Sequence, residues 1–392
     1  MISVPDLSSA GFKADPFPFY AQARRDLPVF TMRWVFGRTA YVVTRYDDAV
    51  TVLKDPRFSK NFIPKIPFLP RSVRVLMRNL LSSDPPDHTR LRALVSHAFT
   101  PKMAERLQDR LQSSCNDLLD AAARKGSVDL VSDFAVPFPL TTIADLLGIP
   151  ADDRAQFALG TRKQAGDWNR LTGFLRSLRN MSQFVRYLRE LIELRRAEPR
   201  EDLVTALVQA EAAGDQLNED ELVAMIGLLL FAGFQTTVNV IGSGTLALLR
   251  DPAQAELLRS GAGATAADEL LRYTSPGDIS TARVARADIV LSGVRVPRGA
   301  FVMASLASAN RDESQFRDPD RLDLTRDPNR HLAFGMGPHA CMGAPLAKLE
   351  VQIALTTLFR RFPNLRLAAT PESLRWRKGL ALRGLEELPV IF

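Results

Sequence analysis

Cysteine is almost missing from this chain, with Cys115 and Cys341 the only two among 392 residues. That scarcity excludes a disulfide framework and any zinc or iron–sulfur site assembled from several thiolates. Equally missing are Ser/Gly-rich linkers, low-complexity tracts and internal repeats. Residues 1–392 therefore read as one large unit, even though the length alone would allow two or three domains. The opening stretch, MISVPDLSSAGFKADPFPFY, lacks a basic segment followed by an apolar run. No signal peptide or membrane anchor is visible there, and a cytoplasmic protein is expected. Basic residues outnumber acidic ones, 51 to 44, for a formal net charge of +7. They come in nothing longer than pairs such as Arg24-Arg25, Arg195-Arg196 and Arg360-Arg361, short of the roughly 5–8-residue blocks of a nucleic-acid patch. A solvated basic surface is expected, able at most to dock an acidic protein.

What is present is ordinary globular material, 46% hydrophobic and 24% charged, enough for a large core. Ala40 to Thr44 is β-rich and Asp47 to Leu53 has helical spacing. From about residue 84 to 275 the periodicity is helical almost throughout, with stops at Pro101, Gly126, Gly148-Ile149-Pro150 and Gly214. Short strands are expected over 288–306, with turns at Ser292-Gly293 and Pro297-Arg298-Gly299, and again in the last stretch from Trp376. The expected fold class is mainly α with small β-sheets. Residues 59–81 carry three prolines among large apolar side chains and read as a loop facing an apolar ligand. Leu222 to Leu249 holds no charged residue and is long enough to span a membrane. Gln235, Thr236, Thr237, Asn239 and Ser243 in its middle argue instead for a buried helix passing a site in a soluble protein.

Chemistry concentrates in Phe334-Gly335-Met336-Gly337-Pro338-His339-Ala340-Cys341-Met342-Gly343, a Gly/Pro-punctuated turn that leads into the helical run Ala344 to Phe359. The glycines allow positive φ and close approach by a flat group, and backbone N–H groups can point at the sulfur. The positive end of the following helix favours a thiolate. Taken alone, a buried cysteine in such a loop is usually structural, and Cys115, inside a helical pattern, reads as a small core residue. The whole pattern resembles the haem-binding signature of the cytochrome P-450 family. Two other passages resemble the same family: Glu269-Leu270-Leu271-Arg272, and Ala232-Gly233-Phe234-Gln235-Thr236-Thr237 on the uncharged helix.

The resemblance implies a haem b group (iron protoporphyrin IX) between a long central helix and the cysteine loop, with Cys341 as the iron ligand and Phe334, Gly335 and Gly343 shaping the cradle. It implies that Glu269 and Arg272, an exposed i, i+3 pair on spacing alone, are buried and joined by Arg321. It assigns the haem propionates to His88, Arg92, Arg283 and His339, and the oxygen side to Gly233, Gln235 and Thr236. Gln235 departs from the family, which commonly has Asp or Glu there; an amide can order water but carries no titratable proton. The implied activity is a monooxygenase that inserts one atom of dioxygen into an apolar small molecule, by hydroxylation or epoxidation. Alternatives are oxidative coupling, desaturation or peroxide-driven oxidation in the same fold, or a non-catalytic haem-based ligand-binding protein. With no nucleotide-binding glycine motif or iron–sulfur cysteine set in the chain, electrons would come from a ferredoxin or flavodoxin with its reductase. Lys102, Arg106, Arg110 and Lys348 are candidate contacts for that acidic carrier. Residues 59–81, 155–190, 275–281, the helix near Leu229 and Gly233, and the turn near Leu380 would line the pocket. Arg162, Lys163 and Arg170 would stand at its lid. A terpenoid, steroid, fatty acid or polyketide of secondary metabolism is the expected substrate.

Overall fold

The computed structural model describes residues 2–34, 37–61, 70–96, 99–150, 153–154, 171–212, 217–261 and 265–392. Among these the chain is mainly α, with ten short strands: β1 (Val29–Arg33), β2 (Thr39–Val43), β3 (Phe58–Ser59), β4 (Ser127–Asp129), β5 (Arg283–Ala285), β6 (Ile289–Leu291), β7 (Val294–Val296), β8 (Phe301–Ala304), β9 (Arg366–Leu367) and β10 (Pro389–Ile391). The chain divides into two compact units interleaved in sequence, one of residues 1–59, 104–135 and 236–392, the other of residues 60–103 and 136–235.

Among the described residues, the first unit carries all the sheet. Its five-stranded sheet has the order β1-β2-β8-β5-β3, with only β2 and β8 parallel, in a register that sets Tyr41 opposite Val302 and Phe58 opposite Ala285. β4, β10 and β9 form a second sheet, and β6 and β7 a hairpin. The hairpin turns on Ser292 and Gly293, both at positive φ (42° and 81°), the left-handed pair a tight two-residue connection requires. On the helix Tyr46–Lys54 the apolar positions Ala49, Val52 and Leu53 fall at i, i+3, i+4, and this stripe packs on Val43, Phe58, Val302, Phe316 and Leu332. Leu332 is fully buried, so the chain entering the cysteine loop is anchored in that core.

The uncharged stretch lies in a helix, Glu219–Arg250, long and apolar enough to cross a membrane; 67% of its most apolar window is buried inside the protein. The second unit packs the first part of this helix among its neighbours. A side chain at Gly227 would press on Leu76 and Leu188, and Arg90 pairs with Glu221 at 2.6 Å.

Three expectations are corrected. Residues 59–81 are not loop throughout: once past the three prolines, Arg71–Met77 is a helix, with Pro70 before its first turn, where a missing N–H costs nothing; 62–69 lie outside the described residues. The helical stretch 84–275 is broken after Gly126 (φ 71°) by β4, whose partner β10 lies at the far end of the sequence and which local periodicity could not reveal. The basic pairs are also not simply solvated. Arg24 is buried and bonds Ser308 and Glu313, and Arg195 is buried with its guanidinium on Asp202 and the Gly148 carbonyl.

Candidate functional site

The cysteine loop is built by short backbone bonds. Gly335 N–H donates to Leu332 O (2.8 Å), Cys341 N–H to Phe334 O (2.9 Å) and Ala340 N–H to Gly337 O (3.0 Å), closing the loop on itself around a single 3₁₀ turn at Gly337–His339. Gly335 and Gly337 adopt φ of 65° and 76°. A Cβ at Gly337 would also lie 2.9 Å from Leu53 O, so this glycine, absent from the expected set, seats the loop on the helix Tyr46–Lys54. Gly343 has an ordinary φ of −75° and does not use the positive φ that a glycine allows. A Cβ on it would instead lie 3.9 Å from Cys341 Sγ, on the sulfur's flank.

Gly343 also caps the helix Ala344–Arg361, whose first turn has no side-chain cap and an acid-free sequence. This helix begins three residues after Cys341, and such a positive end stabilises a thiolate. Cys341 is exposed, whereas Cys115 is fully buried with its thiol pushed by desolvation up to about 12, the core residue expected.

A buried carboxylate holds the approach to the loop. Glu269 and Arg272, on the helix Ala266–Thr274, are both fully inaccessible and joined by two bonds of 2.7 and 2.8 Å. The third member is a correction. Arg321 contributes only its carbonyl, 3.1 Å from Arg272 Nη2, and its side chain is exposed; the guanidinium that reaches Glu269 is that of Arg326, Nε 3.2 Å from both oxygens. Asn329 Nδ2 and Asp323 N–H complete the shell at 3.0 and 2.9 Å. Arg272 also donates to Asn310 O and Pro319 O, while Asn310 Oδ1 accepts from Leu332 N–H at 2.7 Å. The carboxylate is thereby wired to the residue two before Phe334. Beside it, Asp268 takes both His331 Nε2 (2.9 Å) and Lys348 Nζ (2.6 Å). Burial pushes the Asp268 carboxyl up, but these two bonds outweigh it and hold the group below its ordinary value. His331, Asn329 and Arg326 were missed because their partner is about 60 residues upstream.

On the long helix, a Cβ at Gly233 would lie 2.8 Å from Ile143 Cγ1, so glycine there is required by close packing on the helix Pro137–Leu146. Phe231 and Ala232 just before it are exposed, Phe231 by 47%, on a helix otherwise largely buried. The Thr236 hydroxyl does not bond back to the preceding turn, whereas Thr245 does so to Ile241 O at 2.8 Å. Further along, Asn239 Oδ1 and Ser243 Oγ, one turn apart, are buried without a hydrogen-bond partner among the described residues. Asn239 lies against Gly384, and Ser243 lines a cavity with Ala14, Phe17, Tyr273 and Trp376.

The four cationic candidates fall two to each unit. In the second, His88 and Arg92 share a face of the helix Asp87–Ser96; His88 is buried, and burial followed by the Arg92 charge lowers its pKa, leaving a neutral imidazole to hydrogen-bond. In the first, Arg283 is buried at the start of β5, and His339 closes the 3₁₀ turn beside Cys341. Arg162, Lys163 and Arg170 lie outside the described residues.

Within the first unit, Cys341, Arg283 and His339 suit haem. Among the described residues no cluster of three or more His, Cys, Asp or Glu could hold a bare metal ion. A lone exposed thiol at a helix N-terminus fits an iron whose other ligands belong to a macrocycle. Comparison with known proteins agrees. A family model described as cytochrome P-450 matches residues 265–382. The chain is 41% identical over 394 residues to the polyketide biosynthesis cytochrome P-450 PksS of Bacillus subtilis, covering 97% of this chain and 96% of that one. It is 39% identical to the 6-deoxyerythronolide B hydroxylase of Saccharopolyspora erythraea, covering 100% and 99%. A crystal structure of a myxobacterial cytochrome P-450 in complex with myristic acid superposes with a TM-score of 0.94 at 39% identity, over 100% of this chain and 99% of the other.

Proposed function

The chain belongs to the cytochrome P-450 family and is a monooxygenase, and from that premise we propose that it hydroxylates or epoxidises an apolar product of secondary metabolism. Haem b, bound through Cys341, supplies the activation of dioxygen. The chain's own residues do the rest. The helix N-terminus at Gly343 stabilises the thiolate, the Glu269 network fixes the loop that presents it, and His88, Arg92, Arg283 and His339 satisfy the propionates. Thr236 offers a hydroxyl to the oxygen side, and Gln235 orders the water that passes protons. The observation that carries the reading is the pairing of an exposed Cys341 at a helix N-terminus with a buried carboxylate–guanidinium brace behind its loop.

The proposed substrate class rests on exposed apolar side chains and on the relatives. Phe231 and Ala232 present an apolar surface on the long helix; one similar protein is named for polyketide biosynthesis, another as a 6-deoxyerythronolide B hydroxylase, and a third holds myristic acid. A ferredoxin or flavodoxin with its reductase delivers electrons. Lys102 and Arg106, exposed on the helix Pro101–Ala123, are docking contacts, as is Arg110; Lys348 is committed to Asp268. A soluble, cytoplasmic protein is part of this reading, and the 67% burial of the long helix's most apolar window is in keeping with it. The test is to supply the haem-loaded protein with a surrogate ferredoxin pair and offer myristic acid and 6-deoxyerythronolide B. A product heavier by one oxygen atom, labelled from ¹⁸O₂, supports the reading; binding without turnover across a broad apolar panel leaves only the ligand-binding alternative.

A further inference from the structure

Lys13 is a fully buried lysine on the short helix Ala10–Ala14, and its environment is unlike that of a surface helix. Its ammonium pairs with Asp278, itself wholly inaccessible, and donates to Leu380 O at 2.9 Å. The second oxygen of Asp278 accepts from Tyr20 OH at 2.7 Å, and Tyr20 is also fully buried. The main chain around Asp278 is held as tightly. Its N–H donates to Ala381 O, its carbonyl accepts from Leu306 N–H, and Gly277 bridges Leu382. Arg383 N–H donates to Pro276 O, while its guanidinium caps the carbonyls of Lys13 and Ala14 and stacks on Trp376 at 4.0 Å. Gly379 N–H donates to Ser8 O. One ammonium thus touches both the stretch 276–280 and the turn 379–383.

An apolar contact would attach this helix to the core without the desolvation cost of two buried charges, and a buried pair of this kind adds little net stability. What it adds is a fixed geometry: an ammonium with two oxygen partners 102 residues apart allows one relative placement of the two segments. On the cytochrome P-450 reading both segments face the substrate, and this inference rests on that reading. We propose that Lys13, Asp278 and Tyr20 form a clamp that sets the shape of the substrate pocket from behind, acting as positioning residues for which part of a substrate is presented.

The test uses the full-length haem-loaded chain. Lys13→Met strands the Asp278 charge and destabilises the fold, so the informative variant is Lys13→Met/Asp278→Asn, which removes both charges of the pair and keeps an acceptor for Tyr20. Hydrogen exchange in peptides covering 276–281 and 379–383 is expected to quicken by about tenfold while the rest of the protein exchanges as before. Titrated onto ferric haem and read at the Soret band, imidazole should bind the variant as it binds the parent, whereas 4-phenylimidazole, which reaches the pocket wall, should change its Kd by about fivefold or more. Unchanged exchange in both stretches, or equal changes for the two imidazoles, would overturn the proposal. The exchange measurement does not depend on the haem reading, while failure of imidazole to shift the parent's Soret band would strike that reading alone.

Discussion

Replacing Arg326 by Ala tests the brace behind the cysteine loop, because the structure assigns Arg326 a role and denies it to the Arg321 side chain. Glu269 loses one charged partner but keeps Arg272, Asn329 and the Asp323 N–H. One charge-assisted contact is worth about 2 kcal/mol. With an unfolding entropy of roughly 2.1 cal/mol/K per residue over 392 residues, 1 kcal/mol moves Tm by about 1.2 °C. Arg326→Ala should therefore lower Tm by about 2–3 °C. Glu269→Gln is harsher. It leaves the fully buried Arg272 guanidinium without a counter-charge, about 3–5 kcal/mol, and should cost about 4–6 °C together with loss of haem during purification. Arg321→Ala removes an exposed side chain with no hydrogen-bond partner among the described residues and should shift Tm by less than about 1 °C. Calorimetry of the haem-loaded proteins, with the ratio of Soret to protein absorbance as a second readout, ranks the three. If Arg321→Ala costs as much as Arg326→Ala, the assignment is wrong.

Other outcomes follow from single features. Gln235→Glu restores a titratable group and should raise product formed per reductant consumed; identical coupling in both proteins would remove Gln235 from proton delivery. A maleimide at pH 7 should label Cys341 in haem-free protein and not in the loaded form, and should spare Cys115 in both, its thiol being buried and pushed up to about 12. Asp268 has a folded-state pKa below its ordinary value, so its contribution is present above the unfolded value of about 3.9 and is lost as pH falls through the folded one. The stability gap between parent and Asp268→Asn should be full at pH 6 and close below about pH 4, which urea midpoints across that range would show. Gly384→Ala would place a Cβ 2.1 Å from Asn239 Oδ1 and should cost about 1–3 kcal/mol, with much of it recovered by adding Asn239→Ala; an equal loss in the double variant would refute the clash.

What could be read from the sequence, and what could not, divides by how far apart the interacting groups lie. The cysteine loop, the hairpin at Ser292-Gly293 and the helix pair Glu269-Arg272 are encoded by neighbours a few residues apart, and each forms where spacing places it. The choice between Arg321 and Arg326 was not legible, since both precede the loop and only the packing of a carboxylate some 55 residues upstream decides which guanidinium turns inward. The same reason explains the basic surface that proved partly internal. Arg24, Arg195, Arg272, Arg311 and Arg383 are buried, and most of their bonds run to carbonyl oxygens or carboxylates far off in the chain, invisible to any count of charges. The net charge of +7 therefore overstates what the surface can offer an acidic carrier. Part of it is spent inside, where guanidinium groups fix loops around Cys341 and the 276–280 segment, and steering must come from cations that remain exposed, such as Lys102 and Arg106. Salt should accordingly weaken reduction by the carrier, and charge reversal at Lys102 and Arg106 should remove most of that salt dependence while leaving haem content unchanged.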